Sequence, residues 1–267
     1  MMPAHQLPAA LAPFVATLSA YDLGTGSAAG VHRGLPSTTV SITIPEEPME
    51  IAWLGRPSSR RRLQAVVAGL HLEAAELRQA GGTRGVWLTL SPMGAGALLG
   101  VPAAALAGHF VEFADAVPAM AALPERLASC RTWPQRRTAV VEALAAALAR
   151  HGANADAPRQ RAMLAALSGS GRVHEAARHL GCSRRHLSNA VRADLGVTPK
   201  EYQRLVRFEA ARGELVTAAR TGTVRLATVA AASGFADQAH FTREWRTMAG
   251  CTPTEWLRAE GPAARTP

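Results

Sequence analysis

Two stretches near the C-terminus gather side chains able to recognise the edges of nucleic-acid bases. In RRHLSNAVR (184–192), Leu187 and Val191 stand four apart and face one way on a helix. That spacing leaves Arg184, Arg185, Ser188, Asn189 and Arg192 on the outward side. In QAHFTREWR (238–246), Phe241 and Trp245 take the apolar places. Gln238, Ala239, Thr242, Arg243 and Arg246 then point out, with His240 at the margin. Arg bonds guanine in bidentate fashion, and Asn or Gln does the same with adenine. Ser, Thr and the arginines of a last turn suit phosphates, which set register without reading sequence. An Arg-rich helical face is by itself usually just solvated, so the reading depends on what surrounds these two helices.

The charge distribution supports an anionic partner. The chain has 267 residues, net charge +9 and a sequence pI near 11.0. Residues 1–150 carry 12 Arg/Lys against 10 Asp/Glu, a net +2, whereas residues 151–267 carry 17 against 10, a net +7. Lys200 is the only lysine, so the excess is arginine, whose planar fork pairs with phosphate and guanine edges. Nucleic acid is the leading partner and an acidic membrane surface trails it.

The elements that position these residues are written twice. AARHLGCSRRHLSNAVRADLGVTPKEY (176–202) aligns with AAASGFADQAHFTREWRTMAGCTPTEW (230–256), with one insertion near Asp237. Ala177 meets Ala230, Gly181 meets Gly234, His186 meets His240 and Arg192 meets Arg246. Leu187 and Val191 fall in register with Phe241 and Trp245. Each copy predicts helix, glycine turn, helix, with Ser183 or Asp237 capping the second helix. Each ends in G-x-T-P-x-E-aromatic. Gly196 and Gly250 suit a C-cap, Thr198 and Thr252 an N-cap, and Pro199 and Pro253 a first helical position. Glu201 and Glu255 stand at the capping-box position, and Tyr202 and Trp256 pack the next helix back on its unit. The helix between the copies, Pro199 to Thr217, spans about 28 Å at about 1.5 Å per residue. One turn of B-DNA is about 34 Å, so the two reading helices suit successive major grooves.

These segments are similar to the two signature segments of the AraC/XylS family of transcription regulators, over about residues 159 to 259. The resemblance implies a DNA-binding domain of two helix-turn-helix units joined by a long helix, on double-stranded DNA and beside RNA polymerase. Carried over by position, base-facing residues fall on Arg185, Ser188, Asn189, Gln238, His240, Thr242 and Arg243. Arg184, Arg192 and Arg246 are the expected phosphate contacts. Trp245 stands where the family usually has Phe, and Trp256-Leu257 replaces an aromatic-Arg ending.

The first 150 residues read differently. Residues 31–92 are β-rich, with strands expected at Thr38–Ile44, Met49–Leu54, Leu63–Leu72 and Gly85–Leu90. Alanine-rich helices follow at 102–109, 118–128 and 133–150. The expected organisation is α+β: a sensor or dimerisation domain (1–150), a linker HGANADAP (151–158), and the double helix-turn-helix domain (159–260). The family resemblance implies a small-molecule effector or homodimerisation for the first domain. Trp53, His71 and Trp87 are candidates for a strand-lined pocket, with a plain core role as the alternative. Helix 133–150 has a Leu/Val/Ala stripe suited either to a second subunit or to its own sheet.

Other chemistry is sparse. GAGALLG (94–100), followed by Glu112, resembles a dinucleotide loop, so a nucleotide-cofactor enzyme or binder is the alternative function. Its G-x-G-x-x-x-G spacing and Pro92 depart from that pattern. No catalytic constellation stands out, and His5, His32, His71 and His109 lack metal-ligand spacing. No cofactor is expected. Cys130, Cys182 and Cys251 form no C-x-x-C pair, which suits a reducing cytoplasm. The uncharged run 85–111 is broken by Pro92, Pro102 and several glycines, against a membrane span.

Overall fold

The computed structural model describes residues 7–22, 31–79, 84–152 and 156–259. His5, residues 80–83 and residues 153–155 of the expected linker lie outside them. The fold is α+β. Two antiparallel sheets form the N-terminal region. The first has strands β1 (Val15–Asp22), β3 (Val40–Pro45), β6 (Val66–Ala68), β8 (Arg84–Leu90) and β9 (Phe110–Glu112), ordered β1-β8-β3-β6-β9. The second has β2 (Val31–Gly34), β4 (Met49–Trp53), β5 (Arg61–Leu63) and β7 (Ala75–Gln79), ordered β2-β7-β4-β5.

Alternation assigns the two faces of the first sheet. Val40, Ile42 and Ile44 pair with Leu90, Leu88 and Val86 and bury one face in the main core. On the other face, Val66, Ala68 and Phe110 meet Met49, Ile51, Leu63 and Ala75 of the second sheet in a smaller cluster.

Two strand expectations are corrected. Leu63–Leu72 is not one strand. The Glu112 carboxylate accepts bonds from the amides of Gln64 (2.8 Å) and Ala65 (2.9 Å), making the corner at which β5 and β6 part into different sheets. Strand β3 begins at Val40 instead of Thr38, because the backbone amide and hydroxyl of Thr38 are committed to Glu209 in the C-terminal region. Strand β1 was not anticipated; its partner β8 lies some 70 positions away, beyond any local pattern.

Short helical pieces α1 (Pro92–Gly94), α2 (Ala103–Leu106), α3 (Phe113–Ala116) and α4 (Leu123–Ala128) lead to α5 (Trp133–His151). Thr132 and Gln135 form a capping box at the start of α5. Val140, Leu144 and Ala147 are buried in the chain's own core, so the apolar stripe of α5 is used internally. The C-terminal region is all helix: α6 (Ala157–Gly169), α7 (Val173–His179), α8 (Arg184–Leu195), α9 (Pro199–Thr221), α10 (Leu226–Ala232), α11 (Gln238–Ala249) and α12 (Pro253–Ala259). The main core is continuous from the first sheet through α5 into these helices. Among the described residues no helix is long and apolar enough to cross a membrane.

Candidate nucleic-acid interface

Helices α8 and α11 start and stop by the same devices. Ser183 Oγ accepts from His186 N at 3.1 Å to cap α8, and Asp237 Oδ1 accepts from His240 N at 2.6 Å to cap α11. At their ends Gly196 (φ +74°) and Gly250 (φ +70°) turn left-handed and donate to the carbonyls of Arg192 and Arg246. A side chain there would be strained, so glycine is the fitting residue. The next helices open with matching capping boxes. Thr198 N donates to Glu201 Oε2 at 2.7 Å, and Glu201 N to Thr198 Oγ1 at 3.2 Å. Thr252 and Glu255 repeat both distances. Helix α9 runs four residues beyond the expected Thr217, to Thr221, and spans about 34 Å.

The inward residues are buried as their spacing requires: Leu187, Val191 and Leu195 on α8, and Phe241, Trp245 and Met248 on α11. Arg184, Arg185, Asn189 and Arg192, with Gln238, Arg243 and Arg246, are exposed. Ser188, His240 and Thr242 are half-buried and already hydrogen-bonded. Ser188 Oγ accepts from Arg192 Nη1 (3.1 Å), and Thr242 Oγ1 donates to the Gln238 carbonyl (2.9 Å). His240 Nδ1 accepts from Ala236 N (3.4 Å), while its ring packs on Phe235. Among the described residues none of Arg184, Arg185, Arg192, Arg243 and Arg246 forms an ion pair with a carboxylate. Arg159 and Arg204, which do pair, join elements to one another: Arg159 to Asp194 at 3.0 Å, Arg204 to Glu244 at 2.8 Å.

The structure brings Trp53 and His71 together but not Trp87. The first two rings lie 5.3 Å apart, with Phe110 4.1 Å from Trp53 as a third member that sequence reasoning missed. Phe110 had no usable signal, since its strand is only three residues long. Burial holds the His71 imidazole below its usual pKa, against the opposing pull of its bond to the Glu73 carbonyl. Trp87 sits on β8 of the first sheet, between Ser19 of β1 and Thr43 of β3, whereas Trp53 ends β4 of the second. Trp53 and His71 line a cleft of about 310 Å³ that Gly196, Val197 and Glu201 close from the helical side.

The residues of the alternative nucleotide site are otherwise engaged. Ala95, Ala97, Leu98 and Leu99 are buried, and Gly94 lies against the Phe14 backbone. Glu112 serves the β5–β6 corner. Among the described residues no His, Cys, Asp and Glu group could hold a metal ion.

Residues 176–259 match the family model described as Helix-turn-helix domain. The C-terminal region therefore holds a helix-turn-helix domain, in agreement with its two glycine turns and capped second helices. Among solved structures, ToxT from Vibrio cholerae O395 aligns with a TM-score of 0.53 at 10% identity, over 92% of this chain and 98% of that one. Unsaturated fatty acid bound wild-type ToxT from Vibrio cholerae strain SCE256 aligns at 0.52 and 12% identity, over 91% and 95%. An AraC-type transcriptional regulator from Chromobacterium violaceum is 25% identical over 42% of this chain and 98% of its own, with a TM-score of 0.34. No curated protein matches the chain. The ToxT alignments show that the two-region fold is shared along nearly the whole chain.

Proposed function

We propose that the chain is a sequence-specific transcription regulator that reads two successive major grooves and is modulated through its N-terminal region. The observation that carries this reading is the pair of capped, duplicated helices whose exposed Arg, Asn and Gln side chains lack carboxylate partners. Cations not locked in ion pairs remain available to phosphate and guanine. Arg185, Asn189, Gln238 and Arg243 read base edges, with Ser188, His240 and Thr242 in support. Arg184, Arg192 and Arg246 hold phosphates. RNA polymerase is the downstream partner, and a small molecule or a second copy of the chain is the input.

A solved ToxT carries an unsaturated fatty acid, which supports small-molecule control here. The Trp53–His71–Phe110 cluster, with its cleft onto the helical region, is where such a molecule would couple to the reading units.

Selection from a random duplex pool tests the reading. The chain should enrich a two-part motif, and affinity for it should rise steeply as salt falls. A pool no different from random DNA would sink the proposal.

A further inference from the structure

The two glycines that end the reading helices do more than cap them. A Cβ built on Gly196 would lie 2.5 Å from Ala107 Cβ and 3.0 Å from the Ala104 carbonyl, both next to or within α2 of the N-terminal region. Neither neighbour can swing away, since one is a methyl on the backbone and the other is backbone itself. A Cβ on Gly250 would overlap Leu54 Cδ2, at the end of β4. The N-terminal region thus rests on the same position of both repeats, using two unrelated pieces of its own. Other left-handed glycines of the region are not used in this way. Gly181 (φ +64°) and Gly222 (φ +87°) have nothing within 4 Å of the added atom.

A third contact lies between these two. Glu209, midway along α9, accepts bonds from Ser37 Oγ (2.6 Å), Thr38 N (3.0 Å) and Thr38 Oγ1 (2.5 Å). Both carboxylate oxygens are engaged by Ser37 and Thr38 of the N-terminal region, across some 170 residues of sequence. All three contacts avoid the reading faces. Gly196 and Gly250 lie at the far ends of α8 and α11 from Arg185 and Gln238.

We propose that the N-terminal region braces the two reading units through Gly196, Glu209 and Gly250, and so fixes the half-site separation that the chain accepts. These three are positioning residues, acting through α8, α9 and α11 rather than touching DNA. Without the brace the units are joined through a single 23-residue helix and its own side-chain ties. Small twists along that helix would then change the angle between the reading faces. One added base pair turns the second half-site by about 34°, which is the scale of mismatch a rigid pair rejects and a loose pair tolerates.

The inference rests on the proposed DNA reading by both units, and one experiment separates the two. Full-length wild type, Gly196→Ala, Gly152→Ala and Glu209→Ala are each used to select from a random duplex pool, and separations between the paired motifs are counted. Wild type should show one dominant separation. Gly196→Ala and Glu209→Ala should keep the same motifs, while the preference for that separation falls about tenfold against neighbours one base pair longer or shorter. Gly152→Ala, at the left-handed end of α5 (φ +74°) and outside both units, imposes at least comparable backbone strain with no clash and should match wild type. Glu209→Gln, which keeps an acceptor, should restore part of the preference. Gly250→Ala should act more weakly than Gly196→Ala, because the tip of Leu54 can rotate aside.

An unchanged single separation in Gly196→Ala and Glu209→Ala overturns the brace while leaving the DNA reading intact. A wild-type pool without paired motifs overturns both. Should Gly196→Ala fail to fold, Glu209→Ala alone decides, since it places no strain on the backbone.

Discussion

The first reading unit closes around Leu187, Val191 and Leu195, whereas the second closes around Phe235, Phe241, Trp245 and Trp256. Rings surround Trp245 there: Phe208 of α9 at 4.6 Å and Trp256 at 5.3 Å, both tilted, and Phe241 edge-on at 5.8 Å. The caps differ in a parallel way, a neutral hydroxyl at Ser183 against a carboxylate at Asp237. The backbone devices are nevertheless the same, down to matching capping-box distances. Helix ends and turns are thus the constant part of this module. Core volume and reading chemistry vary inside it.

The largest expected effect comes from the aromatic core. Trp245→Ala should destabilise the chain by about 3–5 kcal/mol, and Leu187→Ala by about 2–5 kcal/mol, read from denaturant midpoints. If Trp245→Ala proved milder than Leu187→Ala, the aromatic cluster would not be the stronger of the two cores. Trp245→Phe should cost under about 1.5 kcal/mol. The indole Nε1–H of Trp245 is buried with no hydrogen-bond partner among the described residues, so losing it offsets part of the lost contact.

Arg185→Ala and Gln238→Ala should each cost about 1–3 kcal/mol of specific binding and relax a base position, but in opposite halves of the site. Relaxation in the same half would show that only one unit reads. Smaller and sequence-independent losses are expected for Arg192→Ala and Arg246→Ala. Each should lower the salt slope of binding by about 1, as befits a phosphate contact.

The smallest difference at neutral pH emerges on acidification. The amide of His240 holds the Asp237 carboxyl below its usual pKa, and the Thr252 amide and hydroxyl do the same for Glu255. A lowered carboxylate pKa contributes stability above the unfolded value, and that contribution is lost as pH falls through the folded one. Below about pH 4, amide exchange should therefore quicken at the start of α11 and α12 while the Ser183-capped start of α8 is unchanged. Equal quickening in both units would contradict the assignment.

The C-terminal region was legible because its signals are local and repeated. Caps, turn glycines and apolar spacing all act within four residues, and each appears twice. The N-terminal region depends on distant partners. Nothing near Val15–Asp22 announces a pairing with β8. Nothing in LQAVV reveals that Glu112 turns the chain there. The interface was only half-legible for the same reason. The reading faces follow from helical spacing. That Ser188, His240 and Thr242 spend a hydrogen bond on their own helix or turn does not, nor does the bond of Glu209 to Thr38.

The central claim is that both units read one DNA face. Methylation interference on a duplex selected by the full chain tests it most directly, because Arg bonds guanine through N7 in the major groove. Two patches of interfering guanines, about 10 base pairs apart on one face, are the predicted result. A single patch, or weak interference spread evenly along the duplex, would contradict it.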